Sequence, residues 1–341
     1  MSKRVCVLYT GGTIGMVESA NGYIPSRGAF LRAVEAIPDL SAPGFPAWEV
    51  VEFDPLLDSS DMAVEEWNKI GRAIAERYDR FDGFVVLHGT DTMAYSASAL
   101  SFMLEGLDKP VIFTGAQIPL CQLRSDGREN IVTAMLIAAG GRVSEVCIYF
   151  NGVLLRGNRS TKRSSDQFGA FESPNFPALA HAGISIQYIS LPPAVVPPPR
   201  EAGAFRLREL KELPIGVIKV FPGIQFEIFE AIMTERLRGV VLEGFGAGNI
   251  PGAAADCLLP IIRKAYEGGT VITVCSQCVQ GAVSLGAYAA SKALRDIGAV
   301  DGGDMTTEAA LAKLYYLFSL GLDKEEVKRR MGRDLRGELT E

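Results

Sequence analysis

The chain has 341 residues, 48% of them hydrophobic, which is enough for a sizeable core and, on length alone, about two domains. A formal net charge of −6 argues against nucleic acid or an anionic membrane as the main partner. No apolar run approaches the ~18 residues of a membrane span. The start, MSKRVCVLYTGG, has no cleavage site of a signal peptide, so the cytoplasm is expected.

Residues 5–9 (VCVLY) have the continuous apolar content of a buried strand, and Thr10-Gly11-Gly12-Thr13 breaks it. Glycines there let the backbone turn sharply and leave N–H groups open to a bound group. Thr13 is β-branched and stiff at χ1, so its hydroxyl is aimed. Strand, glycine turn and fixed hydroxyl together suit an acyl acceptor held under N–H donors. The polar stretch 17–27, which carries Tyr23, is expected as a mobile loop over Thr13. Residues 30–36 start a helix that ends before Pro38, and residues 49–53 form a short strand. Asp61 is placed to cap a helix with Trp67, Ile70 and Ile74 along one face.

Residues 83–87 (GFVVL) repeat the first pattern and run into His88-Gly89-Thr90-Asp91-Thr92-Met93. The helix beyond carries Met93, Ala97, Leu100 and Leu104 on an apolar face. Thr90 and Asp91 therefore lie at its N-terminal end, where free N–H groups and the dipole favour anions. Strands at 111–113 and 146–150 flank a helix capped by Asp126 and running through Ala139. Such alternation predicts a parallel sheet covered on both faces. The proline-dense run 191–199 (LPPAVVPPP) and the charged stretch after it mark a linker. Strands at 215–220, 239–242 and 271–274 follow with helices between, and Asp323 starts a last helix stopped by Gly332. The expected architecture is α/β. A larger, doubly wound N-terminal domain with a mostly parallel sheet covers 1–190, a linker covers 191–213, and a smaller α/β domain covers 214–341.

The six cysteines sit mostly in apolar segments and read as buried free thiols. Cys275-x-x-Cys278 has no second pair at similar spacing to complete a structural zinc site. His88 and His181 are the only histidines, and His88 lies inside the second glycine turn, which suits a structural hydrogen-bonding role better than a Ser-His-Asp triad or a histidine-built metal centre. Residues 10–15 (TGGTIG) and 244–249 (GFGAGN) follow strands as dinucleotide fingerprints do, but neither completes G-x-G-x-x-G. Hydroxyl, carboxylate and ammonium groups remain to carry the chemistry.

TGGTIG at 10–15 and HGTDTM at 88–93, each at a strand end, resemble the two signatures of the asparaginase family, amidohydrolases that use a threonine nucleophile. GYIP at 22–25, DSSDM at 58–62, TGAQIP at 114–119, the run 156–162 and GGDMT at 302–306 extend the resemblance over nearly the whole chain, towards the cytoplasmic, type I branch. The resemblance implies hydrolysis of L-asparagine to L-aspartate and ammonia, with no metal and no organic cofactor. It implies Thr13 as nucleophile with Tyr23 as its partner, and Thr90, Asp91 and Lys162 as a second hydroxyl–carboxylate–ammonium set. Lys162 beside Asp91 stays charged and is a poor base, so this set is expected to orient Thr90 and pass protons through water. Which threonine plays which part stays open. Asp91 suits the α-ammonium of an amino-acid amide, and Ser59 with N–H groups near Asp91 suits its α-carboxylate. Ser60 stands where secreted type II relatives carry glutamine, a shorter reach towards the ammonium.

Two other readings share the fold. A non-catalytic asparagine-sensing module would bind asparagine without releasing ammonia. An ammonia-releasing amidotransferase subunit resembles the family but carries an additional N-terminal domain, for which Thr13 lies too near Met1. Relatives also imply a homodimer or homotetramer, in which groups from a neighbour's C-terminal domain close each site, with Asn249 as a candidate. Thr161, beside Lys162, and Cys278, on the turn after the strand at 271–274, are the candidates for a second, effector site for asparagine.

Overall fold

The computed structural model describes residues 3–341 apart from 20, 21, 27, 191–204, 234, 235, 253 and 254. The chain divides into two compact units, Met1–Glu209 and Leu210–Glu341.

In the first unit, β1 (Arg4–Gly11) leads through a 3-10 turn, Thr13–Gly15, into a hairpin of β2 (Met16–Ser19) and β3 (Gly22–Pro25). Then come α1 (Ala29–Glu35), β4 (Ala47–Leu57), α2 (Val64–Ala75), β5 (Gly83–Leu87), α3 (Met93–Met103), β6 (Leu104–Glu105), β7 (Val111–Thr114), α4 (Gly127–Gly140) and β8 (Val146–Phe150). Short strands complete it: β9 (Val153–Arg156), β10 (Thr161–Lys162), β11 (Phe171–Glu172), β12 (Ala180–Ala182), β13 (Ile186–Tyr188) and β14 (Arg206–Leu207).

Among the described residues the main sheet has eight strands in the order β13-β12-β9-β8-β7-β5-β1-β4. The five from β8 to β4 are parallel and the three beyond β8 are antiparallel. Alternate residues of the parallel strands (Val5, Val7, Tyr9, Val85, Leu87, Ile112, Cys147) join one apolar cluster with α1 and α4. The intervening residues Cys6, Leu8, Phe84, Val86, Phe113 and Ile148 are also fully buried, so the other face is covered too. α2 and α3 touch these strands but contribute nothing to the first cluster, which puts them on that second face. α3 is buried nearly all round, Ser96 and Ser98 included, so the single apolar face expected from its sequence is one part of a wholly enclosed helix.

Three local features differ from expectation. The stretch around Tyr23 is a hairpin, with Glu18 paired to Tyr23 across it. Asp61 does not cap α2: it lies inside a 3-10 turn, Ser59–Asp61, and extended residues separate it from the helix. Asp58 serves that turn, accepting from the Ser60 N–H at 2.9 Å, while Glu66 Oε2 accepts from the Ala63 N–H at the start of α2 at 3.2 Å. Asp126 stands at the N-cap of α4, but its side chain turns back to accept from the N–H groups of Gln117 and Ile118.

Of the expected linker, residues 191–204 lie outside the described residues. Beyond them β14 pairs with β6. The second unit contains β15 (Ile215–Lys219), β16 (Gly239–Gly244), α5 (Ala255–Glu267), β17 (Val271–Ser276), α6 (Ala289–Ile297), β18 (Val300–Asp301), α7 (Thr307–Ser319) and α8 (Lys324–Met331). Its strands are parallel, in the order β15-β16-β17-β18, around a second apolar core that includes Val240, Leu242, Ile262 and Ile272. Asp323 caps α8 as expected, accepting from the Glu326 N–H at 2.8 Å.

Candidate active site

Four neighbouring parallel strands, β7, β5, β1 and β4, end side by side, and each hands the chain to a polar turn. β1 leads to Thr13, β4 to Ser59, β5 to Thr90 and β7 to Gln117. Ligands of open α/β sheets sit beyond the carboxyl ends of such strands. The turns are brought very close by glycine. A Cβ on Gly12, whose φ is +85°, would lie 2.5 Å from the Gly89 nitrogen, and one on Gly89 would lie 2.2 Å from Ser59 Oγ. A side chain at Gly12 would push the first and second signatures apart, and one at Gly89 would push the second off the Ser59 turn. Two side chains lock the same edge: Thr10 Oγ1 donates to the Leu87 carbonyl at 2.8 Å, and Thr92 Oγ1 donates to the Ser59 carbonyl at 2.7 Å.

Thr13 opens the 3-10 turn and is half-buried, and its hydroxyl makes no hydrogen bond among the described residues. Thr90 is buried, and its hydroxyl is held from two sides. Lys162 Nζ donates to its Oγ1 at 2.8 Å, and Thr90 Oγ1 donates to Gln117 Oε1 at 3.3 Å. The same Lys162 Nζ lies 2.7 Å from Asp91 Oδ1, with the lysine side chain 18% exposed and the aspartate 68%. Lysine, carboxylate and threonine thus converge as expected, from β10 and from the turn after β5.

His88 is not part of that convergence. Its Nδ1 faces the Gly89 carbonyl at 2.7 Å, and its Nε2 lies 2.9 Å from Ser96 Oγ, which in turn accepts from Trp67 Nε1 at 3.0 Å. A carbonyl can only accept, so the proton belongs on Nδ1 and Nε2 accepts from Ser96. Burial drives the pKa of the ring down to about 4, opposed only by the Gly89 carbonyl, so at neutral pH it is an uncharged strut beneath the second signature.

The other expected residues are placed as follows. Tyr23 is 46% exposed on β3, which packs beside the Thr13–Gly15 turn, and no hydrogen bond joins it to Thr13 among the described residues. Ser59 is buried against Gly89. Ser60 is exposed and gives its hydroxyl proton to Asp58 Oδ1 at 2.9 Å. Thr161 pairs with Glu172 across β10 and β11 in the first unit. Cys278 is exposed in the second unit, its N–H donating to Ser276 Oγ at 3.0 Å. Asn249, also in the second unit, closes a bridge with Phe245. Gln117, bonded directly to Thr90, is the site residue that sequence reasoning did not single out. Its local signs were a position just past the end of a strand and a place within the TGAQIP run at 114–119.

A doubly wound sheet here gathers hydroxyl, ammonium and carboxylate groups at its carboxyl edge, a set suited to hydrolytic chemistry in an α/β enzyme. Comparison with known proteins gives the particular kind. A family model described as asparaginase, N-terminal, matches residues 4–193, and one for the glutaminase/asparaginase C-terminal domain matches residues 214–331. The chain belongs to the asparaginase family. It is 46% identical over 338 residues to L-asparaginase 1 of Escherichia coli strain K12, covering 99% of this chain and 98% of that one. The crystal structure of L-asparaginase I from Vibrio cholerae superposes with a TM-score of 0.91 at 44% identity over the full length of both chains. The thermostable L-asparaginase from Thermococcus kodakarensis gives a TM-score of 0.88 at 31% identity, covering 99% of each chain.

Proposed function

We propose that the enzyme hydrolyses L-asparagine to L-aspartate and ammonia, through an ester between the substrate's side-chain carbonyl and Thr13 Oγ1. One observation carries the assignment of roles: Thr90 Oγ1 is held by both Lys162 and Gln117, whereas the Thr13 hydroxyl is unengaged among the described residues. A nucleophile needs a free lone pair, which Thr13 has among the described residues, and a group to take its proton, the part given to Tyr23 below. Thr13 Oγ1 adds to the amide carbon, the C–N bond breaks, and the hydroxyl proton is carried to the departing ammonia. A water placed against Thr90 then adds to the ester, its proton returns to Thr13, and aspartate leaves. Tyr23 is read as the partner of Thr13, reaching it by closure of the β2–β3 hairpin. Asp91 takes the substrate ammonium and Ser59 its α-carboxylate, with Ser60 at the margin.

The same reading places the enzyme in a reducing cytoplasm, in keeping with six free cysteines. Burial pushes the thiols of Cys6 and Cys275 up to about 12, which leaves them inert packing groups. It also makes the enzyme a homodimer or homotetramer. Exposed Val217, Phe221, Ile228 and Ile232 in the second unit are apolar side chains that a subunit contact would cover. Ammonia release from asparagine tests the reaction. Wild-type protein turns over and Thr13→Ala falls by on the order of 10⁴-fold with an unchanged unfolding midpoint. Binding of asparagine by the wild type without ammonia release would instead favour a sensor.

A further inference from the structure

The hydrogen bonds around Thr90 have a direction. A charged Lys162 has only protons to give, so Thr90 Oγ1 must accept from it and pass its own proton elsewhere. The receiving atom is Gln117 Oε1 at 3.3 Å. The orientation of that amide is fixed from its other end, because Gln117 Nε2 donates to the Gln167 carbonyl at 3.1 Å. Flipping the amide would set oxygen against oxygen at Gln167 and take this acceptor away from the Thr90 proton.

The turn that carries Gln117 is itself anchored. Asp126 accepts from the Gln117 N–H at 3.0 Å and from the Ile118 N–H at 3.1 Å. Fully buried Asn130 donates through Nδ2 to the Gly115 carbonyl at 3.0 Å and to Asp126 Oδ2 at 3.2 Å. This explains why the Asp126 carboxylate faces away from the helix it precedes: it is spent on the turn that follows β7.

We infer that Gln117 is a positioning residue, which holds the Thr90 proton away from the substrate so that Thr90 meets the hydrolytic water as a hydrogen-bond acceptor. With Lys162 donating and Gln117 accepting, one lone pair of Thr90 Oγ1 is left. A water that donates to that lone pair has its own oxygen lone pairs free for the ester carbon. Without Gln117 the Thr90 proton turns into the site and donates to the water, occupying the electrons that should attack. The inference rests on the threonine roles proposed above, and it concerns deacylation. Acylation by Thr13 does not use this bond.

The test compares Gln117→Leu and Gln117→Glu in the full-length enzyme by steady-state and rapid-quench assays of ammonia release. In Gln117→Leu, kcat should fall about 30-fold, from loss of a buried hydrogen bond that directs a reacting group. Since kcat/KM reports the acylation half, it should stay within about threefold of wild type, with a burst of one ammonia per site. Gln117→Glu keeps an acceptor for Thr90 but cannot donate to Gln167. It should recover kcat to within about threefold of wild type at alkaline pH and add an acidic limb to the kcat profile. Wild-type kcat in Gln117→Leu overturns the inference. So does equal impairment of both variants, which would assign Gln117 to the Gln167 tie, and so does a parallel fall of kcat and kcat/KM. Failure of the underlying reading looks different: Thr90→Val would then turn over normally, whatever happens at Gln117.

Discussion

Two lysine–carboxylate pairs in this chain have the same chemistry and opposite surroundings. Lys313 and Glu338, in the second unit, lie 2.5 Å apart with neither side chain exposed to solvent. Lys313 Nζ also donates to the carbonyls of Met331 at 3.0 Å and Arg333 at 2.5 Å, which uses all three of its protons. Glu338 accepts in addition from the N–H groups of Leu335 and Arg336. Burial pushes the Glu338 carboxyl up, but the Lys313 charge, hydrogen bonds from the Asp334 and Lys313 side chains and the Arg336 N–H outweigh it and hold it below its ordinary value. Lys162 and Asp91 are open by contrast. Two lysine donors are placed, on Asp91 and Thr90, and the aspartate is mostly exposed. A closed network ties the chain end to α7. An open one leaves hydrogen-bonding capacity unspent, as the Thr13 hydroxyl does among the described residues, and the proposed reaction would draw on both. What separates structure from function here is how much bonding capacity remains unspent.

The largest expected effect falls on the open pair. Lys162→Met should lower kcat by about 10²–10⁴-fold, the range for a lost proton-transfer or orienting group. The urea midpoint should hardly move, because a pair this exposed contributes at most about 1 kcal/mol to folding. The closed pair should answer in reverse. Glu338→Gln removes the carboxylate bonded to buried Lys313, leaving Asp334 as the nearby acid, and should cost about 3 kcal/mol by urea unfolding, while kcat well below the melting range stays near wild type. Joint replacement by Lys313→Met and Glu338→Leu should cost less than either single change. A stability loss at Lys162 equal to that at Glu338 would erase the distinction.

The smallest effect concerns pH. His88 has a folded pKa of about 4 against 6.5 for the unperturbed ring, so the unfolded chain takes up a proton that the folded one refuses. The His88 contribution to stability is therefore complete above about pH 6.5 and is lost as the pH falls towards 4. The loss reaches about 3 kcal/mol at most, and that component should vanish from the pH dependence of unfolding in His88→Gln. An unchanged acid limb in that variant would mean that the ring is charged in the folded state.

How much of this was legible in the sequence follows from local signal strength. Residues 146–150 (VCIYF) read as a strand and are one, because a parallel strand buried on both faces must be apolar at every position. β9, β12 and β13 were not foreseen. They are three or four residues long, and they carry Arg156, His181 and Gln187 on an antiparallel edge where the apolar run breaks down. The β2–β3 hairpin read as a loop because its strands, MVES and GYIP, are short and polar or interrupted, with no fully buried face among the described residues. Thr13, Thr90, Asp91 and Lys162 were visible through the two glycine turns and the family pattern. Gln117 lay inside the TGAQIP run, but its bond to Thr90 was not legible, since its partners Thr90 and Gln167 lie 27 and 50 residues away and meet it only once β5 and β7 are paired. The turned-back Asp126 was hidden for the same reason: a capping position is local, and what its carboxylate faces is not.

The central claim is that Thr13, and not Thr90, becomes acylated. The direct measurement is to mix Thr90→Val enzyme with asparagine, quench on the millisecond scale, and locate the modified residue by peptide mass spectrometry. The account predicts one ammonia released per site and an aspartyl ester on Thr13, persisting because water is no longer positioned to remove it. An ester found elsewhere in the chain, or ammonia released with Thr13 unmodified at every quench time, would contradict it.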